Sequence, residues 1–218
     1  MEINKFYIAG KFITPDGKEI IDLINPATEE KVGHVVSGSV KDVNNAVSTA
    51  KQAFQDASAL SLEQKKTILQ EIIDGMDERR EEFAQVISEE MGSPIKVARG
   101  AQFSSGKVHF VNTLKVIDSF SFSEVHDNIT LNKLPIGPVG MITPWNWPLN
   151  QMCTKIASAI AAGTSFVLKP SEITPGAAQL FAEIADKSSM PKGMFNLIHG
   201  YGATVGKAMS QHNDLEMI

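Results

Sequence analysis

The apolar positions of this chain change their spacing repeatedly, and the clearest change lies between residues 137 and 172. Val139, Met141 and Ile142 form a short apolar run that predicts a strand. The apolar positions that follow recur at three- and four-residue steps, which predicts a helix with one buried face: Leu149, Met152, Cys153, Ile156, Ala159 and Ile160. A second apolar run, residues 165–168, predicts the next strand. The stretch is typical of a strand–helix–strand unit.

The same alternation continues to the last residue. We expect a helix from Thr174-Pro175, a strand over residues 195–198, a short helix that ends near His212, and a further strand from Leu215. No end of that last strand is reached, so we expect the sheet to be truncated at this edge. Strands and helices that alternate at this spacing predict an α/β fold, with a parallel sheet and helices on its faces.

The chain before residue 137 predicts other kinds of structure. Residues 1–40 form a small β region with a hairpin turn near Gly10, and a helix follows over residues 41–56. Ser61 and Gln64 have the form of a capping box, and the helix that they begin should end at Gly92. A further long helix should begin at Pro94.

Residues 119–132 alternate apolar and polar side chains, which predicts a hairpin with its turn at Asp127-Asn128. An isolated hairpin is only marginally stable in water, so we expect this one to lie against something, such as another subunit.

Composition narrows the class of protein. The chain has 218 residues, of which 43% are hydrophobic and 21% charged, as in a soluble globular domain. A net charge of −5 gives no reason to expect nucleic acid as a partner, and no apolar run is long enough to span a membrane. The start lacks a signal-peptide pattern, and the one cysteine excludes an intrachain disulfide, so we expect a cytoplasmic protein. No Cys/His cluster has zinc spacing, so no metal is expected.

Two polar turns follow the two predicted strands. The first is Pro144-Trp145-Asn146-Trp147-Pro148, and the second is Lys169-Pro170-Ser171-Glu172. Ligands bind outside the carboxyl ends of parallel strands, and a right-handed crossover brings successive ends to the same side of the sheet. We therefore expect both turns to share one edge. There the Asn146 amide could donate to a developing oxyanion, and an ammonium–carboxylate pair suits the hydroxyls of a ribose.

Each of these features also has a purely structural explanation. The first turn could be a rigid corner whose tryptophans fill a core. Lys169 on its own is more simply a solvated lysine, and Glu172 could cap the next helix. Cys153 lies on the apolar face of its helix, where a buried and inert thiol is the expected state. Lys155 on the same helix either reaches solvent or points toward the site.

A third candidate is the glycine-rich segment over residues 200–206. Gly200, Gly202 and Gly206 are close to a dinucleotide-binding fingerprint but have one residue too many. Glycines needed only for a turn and for close packing explain the pattern equally well.

Several segments of the chain resemble the aldehyde dehydrogenase superfamily in identity, order and spacing. The likeness extends from Tyr7 to Ile218, and its motifs lie at residues 25–30, 142–148, 161–164, 169–175 and 191–196. The resemblance implies a Rossmann-like sheet and NAD(P)-dependent oxidation of an aldehyde to a carboxylic acid. In that family a cysteine thiolate attacks the aldehyde, hydride passes to the nicotinamide, and a glutamate activates the water that releases the acid.

The resemblance also implies roles for individual residues. Asn146 matches the oxyanion-stabilising asparagine, and Lys155 matches a helix lysine that some members use near the site. The remaining matches are cofactor contacts, namely the turn Ile142, Thr143, Pro144 and Trp145, the ribose-binding residues Lys169 and Glu172 with the neighbouring Ser171, and the glycines Gly202 and Gly206. NAD is favoured over NADP because a carboxylate at position 172 can accept from the ribose 2′-hydroxyl and would repel a 2′-phosphate.

The resemblance divides the chain at residues 118 and 134. Residues 1–118 are expected to supply N-terminal strands and helices of the cofactor-binding domain, residues 119–134 an oligomerisation hairpin, and residues 135–218 an incomplete Rossmann-like portion. The family's nucleophilic cysteine and general-base glutamate correspond to positions after Ile218, and Cys153 does not align with that nucleophile. We therefore expect the chain alone to be inactive on aldehydes and to form a homo-oligomer. The alternative is a non-catalytic dinucleotide-binding or assembly module.

Overall fold

The computed structural model describes every residue from Met1 to Ile218. The strands are β1 (Glu2–Ile3), β2 (Phe6–Ile8), β3 (Lys11–Ile13), β4 (Glu19–Ile24), β5 (Lys31–Ser37), β6 (Ser123–His126), β7 (Ile129–Asn132), β8 (Val139–Ile142), β9 (Phe166–Lys169) and β10 (Phe195–Leu197). The α-helices are α1 (Val40–Ser58), α2 (Leu62–Glu78), α3 (Arg80–Met91), α4 (Ile95–Val97), α5 (Phe103–Val116), α6 (Pro148–Ala162), α7 (Gly176–Lys187) and α8 (Lys207–Ser210).

A five-stranded sheet forms the centre of the molecule, with the strand order β3-β2-β10-β9-β8. β8, β9 and β10 are parallel, as the alternation of strands and helices predicts, and β2 is antiparallel to β10. At the other edge, Gly140 donates to the carbonyl of Met217 at 2.8 Å. The segment from Leu215, predicted as a strand, thus contributes only an isolated parallel bridge beside β8. The predicted α/β class is confirmed.

Both faces of this sheet are covered. Phe166 and Leu168 of β9 enter a large apolar core on one face, whose members include residues of α2, α3, α5, α6 and α7. Val167, between them, enters a smaller core on the other face, where α1 and α8 pack. Because successive residues of a strand point to opposite faces, a strand covered on both sides is apolar throughout. This explains why β9 shows a continuous apolar run and not an alternation.

The small β region predicted over residues 1–40 is present as strands β1 to β5, which are divided between two sheets. The turn near Gly10 is present, but β2 and β3 on either side of it extend the central sheet, with Tyr7 opposite Leu197. Only β1, β4 and β5 form a separate sheet, so the N-terminal β region contributes strands to both sheets. The physical reason is burial: all three residues of β2 are buried, because both of its faces lie in the cores of the sheet.

The helices begin and end close to the predicted residues, but two of the predicted helices are divided. The one predicted from Pro94 is α4 and α5, with the π-helical residues Ala98–Gln102 between them. The capping box of Ser61 and Gln64 and the left-handed C-cap at Gly92 are both present. The predicted single helix between them is two helices, because Arg79 leaves the helical conformation, with φ −107° and ψ 18°. Its guanidinium is held by Glu82 on α3 and by Glu183 on α7, each at 2.7 Å. The bend therefore fixes α3 against α7.

The hairpin of β6 and β7 has the predicted turn, with Asp127 in the left-handed region at φ 52°. Val125 and Ile129 are 73% and 70% exposed, so its apolar side chains face solvent. At its base, Phe122 lies against the ammonium of Lys65 at 4.9 Å from the ring centre. The hairpin is thus attached to the body at one end and exposed at the other. No helix in the structure is both long and apolar enough to cross a membrane.

Candidate functional site

The two polar turns begin side by side at the carboxyl edge of the sheet. Ile142 at the end of β8 is opposite Lys169 at the end of β9, and the Thr143 N–H donates to the Lys169 carbonyl at 3.1 Å. The turn that carries Asn146 and the turn that carries Glu172 therefore start from adjacent backbone positions. The prediction that both turns share one edge of the sheet is confirmed.

Lys169 is buried, with 2% of its surface exposed. Its ammonium donates to the carbonyls of Gly200 at 2.7 Å and Pro170 at 2.8 Å, and to the Glu172 carboxylate at 3.3 Å. Burial lowers the pKa of Lys169, and the negative charge of Glu172 opposes that shift. The interpretation of Lys169 as a solvated lysine is wrong, because the strand extends one residue further than predicted and takes this side chain inside.

Glu172 remains partly open to solvent, with 30% of its side chain exposed. One carboxylate oxygen, Oε2, receives the bond from Lys169. The other makes no hydrogen bond within the chain. A carboxylate has several acceptor positions, so this group can accept from a hydroxyl while it keeps its lysine. Ser171, next to it, is half-buried on the same turn.

The glycine-rich segment packs against the carboxyl ends of β8 and β9. A Cβ atom built on Gly206 would lie 3.7 Å from both Ile142 Cδ1 and Lys169 Cε, in ordinary contact. A Cβ on Gly202 would meet nothing within 4 Å, so this side of the turn faces open space. The segment forms a π-helical turn over Gly202–Gly206 and continues into α8. The structure thus brings Ile142, Lys169 and Gly206 together.

The Asn146 turn is exposed, and its tryptophans do not fill a core. Trp145 is 51% exposed and Trp147 36%, so that interpretation of the turn is wrong. Two prolines restrict the backbone, and Pro148 occupies the first helical position of α6. Because the prolines and the buried start of α6 fix the turn, its aromatic side chains are free to face outward.

The buried side chain of Gln102 contacts the backbone of this turn. It is 2% exposed, and its Nε2 donates to the backbone carbonyl of Asn146 at 3.4 Å and contacts the sulfur of Met91 at 3.5 Å. Its Oε1 is buried and has no partner. Gln102 ends a π-helical segment between α4 and α5, a local irregularity that often accompanies functional sites.

The two remaining candidates lie on α6. Cys153 is fully buried in the main core, and burial raises the pKa of its thiol well above the ordinary value. Such a thiol is protonated and shielded, as expected for an inert cysteine. Lys155 is exposed and forms no ion pair within the chain.

Sequence reasoning missed three residues around the site: Gln102, His199 and Glu90. His199 is buried next to Gly200, where burial, and to a lesser degree the charge of Lys169, lower its pKa to about 3. Glu90 accepts from the Gly176 N–H at the start of α7. A usable signal existed for Glu90, which falls at a helical spacing after the buried residues Phe83, Val86 and Ile87. No group of three or more His, Cys, Asp or Glu side chains is arranged to hold a metal ion.

The strands β8, β9 and β10 are parallel, are covered on both faces, and carry polar turns and a glycine-rich segment at their carboxyl ends. This arrangement defines a Rossmann-like α/β protein. The profile of the aldehyde dehydrogenase family matches residues 12–218 of the chain. The chain therefore belongs to the aldehyde dehydrogenase family.

Individual relatives agree with this assignment. A Staphylococcus haemolyticus protein named as an aldehyde dehydrogenase is 40% identical over 212 residues, which are 97% of this chain and 45% of that protein. A crystal structure of an aldehyde dehydrogenase from Bartonella henselae superimposes with a TM-score of 0.97 at 42% identity, over 100% of this chain and 47% of that one. A variant of aldehyde dehydrogenase C from Pseudomonas syringae, solved with NAD+ and octanal, gives a TM-score of 0.97 at 43% identity, over 99% of this chain and 44% of that one. This chain thus spans somewhat less than half the length of these relatives.

Proposed function

We propose that this chain supplies the adenosine-binding part of an NAD(P)-dependent aldehyde dehydrogenase, which oxidises an aldehyde to a carboxylic acid. One observation carries the proposal. The Lys169–Glu172 pair lies where β8, β9 and β10 end together, under the glycine-rich segment. Ligands of open parallel sheets bind at this position. The Pseudomonas syringae relative, solved with NAD+ and octanal, supports the same class of cofactor and substrate.

The chemistry of the donors fits a ribose. The vicinal hydroxyls of a ribose can donate to the Glu172 carboxylate and accept from the Lys169 ammonium. The bond of Lys169 to Glu172 is the longest of its three, at 3.3 Å, and is the one that a ribose hydroxyl would share. Ser171 adds a hydroxyl to the same turn, and the open space at Gly202 leaves room for the nucleotide beside Gly206.

NAD is the preferred cofactor in this proposal. The free oxygen of Glu172 would accept from the ribose 2′-hydroxyl, whereas a 2′-phosphate would place negative charge against it. The buried ammonium of Lys169 offsets part of that repulsion, so NADP is a weaker ligand of the same site. The backbone of Ile142, Thr143, Pro144 and Trp145 would line the cofactor from the neighbouring strand end.

Asn146 would stabilise the oxyanion that forms when the aldehyde is attacked. Its side chain is exposed on a turn whose backbone is fixed by Pro144, Pro148 and Gln102. A preorganised amide donor loses little reorganisation energy when charge develops. Lys155 lies on the helix that follows, and we assign it a place near the reacting carbonyl.

The proposal assigns no covalent chemistry to this chain alone. When bound, the nicotinamide accepts the hydride that leaves the aldehyde carbon, but the reaction also needs a thiolate nucleophile. Cys153 cannot supply it, since the thiol is buried and protonated. The isolated chain should therefore bind cofactor without oxidising an aldehyde. A single buried thiol also suits the reducing cytoplasm that we propose as its location.

The test is a calorimetric titration of the chain with NAD+ and with NADP+. We expect saturable binding with NAD+ preferred. Glu172→Gln should weaken NAD+ binding by at least about tenfold, the usual effect of losing a hydrogen bond to a charged group, and should narrow the difference between the cofactors. Glu19→Gln is the matched control, because Glu19 is also exposed but lies on β4. Absence of NAD+ binding by the folded chain would contradict the proposal.

Self-association through the hairpin of residues 119–134 belongs to the same proposal. The exposed apolar residues Val125, Ile129 and Leu131 support it, as does a largely apolar groove of about 360 Å³ at the hairpin base. A second copy of this chain is the proposed occupant. Val125→Lys with Ile129→Lys should reduce the mass measured by light scattering to that of a monomer. A monomeric wild-type chain at high concentration would contradict this part.

A further inference from the structure

Glu90 makes an unusual contact with the start of α7. It is 6% exposed, and both of its carboxyl oxygens accept from the Gly176 N–H, at 3.1 and 3.0 Å. The first N–H groups of a helix have no partner inside the helix, and no local side chain caps α7. A Cβ on Gly176 would lie 2.8 Å from Glu90 Oε1 and 2.5 Å from Val86 Cγ1. The approach of α3 to this helix end therefore requires a glycine.

The same helix end closes the turn that carries the proposed ribose-binding residues. The turn starts at Lys169, whose ammonium is held by the carbonyls of Pro170 and Gly200. It ends at Gly176, which is held by Glu90. Glu172 lies between these anchors and is not buried itself. Two buried ionisable groups on different elements thus fix the two ends of one partly exposed turn.

We propose that Glu90 is a positioning residue for the cofactor site, acting through Gly176 to set where Ser171 and Glu172 stand. The inference rests on the function proposed above for that turn. Glu90 itself would not touch the ribose. Its effect would be on affinity, because a turn that is already ordered loses less conformational entropy when the nucleotide binds.

The state of the Glu90 carboxyl gives this arrangement a pH dependence. Burial is the main cause that raises the pKa of Glu90 to about 8, and the nearby Glu89 carboxylate adds to the rise. The Gly176 N–H and the amino terminus of Met1 act in the opposite direction. The group is therefore mostly protonated at neutral pH and ionises in mildly alkaline solution. Opening the turn would expose the carboxyl to water and return its pKa toward the ordinary value of 4.5, so rising pH favours the open turn until Glu90 also ionises in the closed one. NAD+ affinity should therefore fall as the pH rises toward about 8 and level off above it.

The experiment compares Glu90→Ala, Glu90→Gln and Glu89→Gln with the wild-type chain. Glu90→Gln keeps an oxygen acceptor but cannot ionise, and Glu89→Gln removes an adjacent exposed carboxylate. Calorimetry at pH 7 should show NAD+ binding at least about fivefold weaker for Glu90→Ala and within about twofold of wild type for Glu90→Gln. Between pH 6 and 8 the wild type and Glu89→Gln should lose affinity, while Glu90→Gln should not. Wild-type affinity in Glu90→Ala would overturn the inference.

Amide hydrogen exchange separates this inference from the proposed function. If the wild-type chain binds no NAD+, the proposed function fails, and exchange over residues 170–178 then decides the role of Glu90. Faster exchange there in Glu90→Ala, with Glu90→Gln and Glu89→Gln unchanged, supports positioning of the turn, and unchanged exchange overturns it. If Glu90→Ala does not fold, the pH profile of Glu90→Gln decides. A profile with the wild-type fall in affinity would overturn the inference.

Discussion

The Lys169 ammonium lies 2.7 Å from the carbonyl oxygen of Gly200, and this bond joins the ends of β9 and β10. Lys169 also donates to Pro170 and Glu172 in its own turn. One buried side chain therefore links the strand end, the exposed carboxylate and the glycine-rich segment. The architecture of the proposed nucleotide site depends on this residue as much as on the glutamate that faces solvent.

Removing that donor should destabilise the fold. Lys169→Met leaves the carbonyls of Gly200 and Pro170 without their partner, and an unsatisfied buried acceptor costs roughly 1–3 kcal/mol. We expect the free energy of unfolding, measured by urea denaturation, to fall by about 3 kcal/mol. The matched variant Lys115→Met, at an exposed position of α5, should stay within about 0.5 kcal/mol of wild type. Equal stability of the two variants would show that the Lys169 bonds contribute little.

His199 should make the fold sensitive to acid. Its pKa is lowered to about 3 in the folded chain by burial and by Lys169, whereas an unfolded histidine titrates near its ordinary value of 6.5. The unfolded state binds more protons between these values, so stability should fall as the pH drops from about 6.5 toward 3. His199→Gln should reduce that fall in urea denaturation series, and His126→Gln, on the exposed hairpin, should not. The same acid dependence in His199→Gln would contradict this account.

The thiol of Cys153 should be unreactive in the native chain. It is fully buried on α6, so a reagent in solution cannot reach it. Burial also raises its pKa, which disfavours the reactive thiolate form. A colorimetric thiol reagent should modify the protein only after urea is added, with one equivalent released per chain because there is one cysteine. Rapid reaction of the folded chain would mean that the thiol is exposed, and would reopen a catalytic role for it.

The fluorescence of the two tryptophans should report how exposed the Asn146 turn is to solvent. Trp145 and Trp147 are the only tryptophans in the sequence, and both are substantially exposed. The emission of the folded chain should therefore resemble that of the unfolded chain and should be quenched efficiently by acrylamide. The single variants Trp145→Phe and Trp147→Phe assign the signal to each side chain. A blue-shifted emission that acrylamide does not reach would show that the turn is packed inside.

The sequence predicts much of this architecture because apolar spacing reflects burial. The parallel strands, the capping box at Ser61, the C-cap at Gly92 and the hairpin turn all agree with the structure. The common edge of the two turns also follows, because crossover handedness is nearly invariant.

The failures arise where tertiary contacts override the local pattern. A lysine after an apolar run indicates the end of a strand, yet Lys169 continues β9 because Gly200 and Pro170 satisfy its ammonium inside. Glu90 and Gln102 occupy buried helix positions for a similar reason, since their partners belong to distant segments. No local sequence pattern predicts that Glu90 contacts Gly176, which lies 86 residues further along the chain.

The most direct measurement is a crystal structure of this chain with NAD+. The account predicts the adenosine ribose within hydrogen-bonding distance of Glu172 and the purine beside the Gly202–Gly206 turn. A nucleotide bound at any other surface, with the carboxyl edge of β8 and β9 left open, would contradict it.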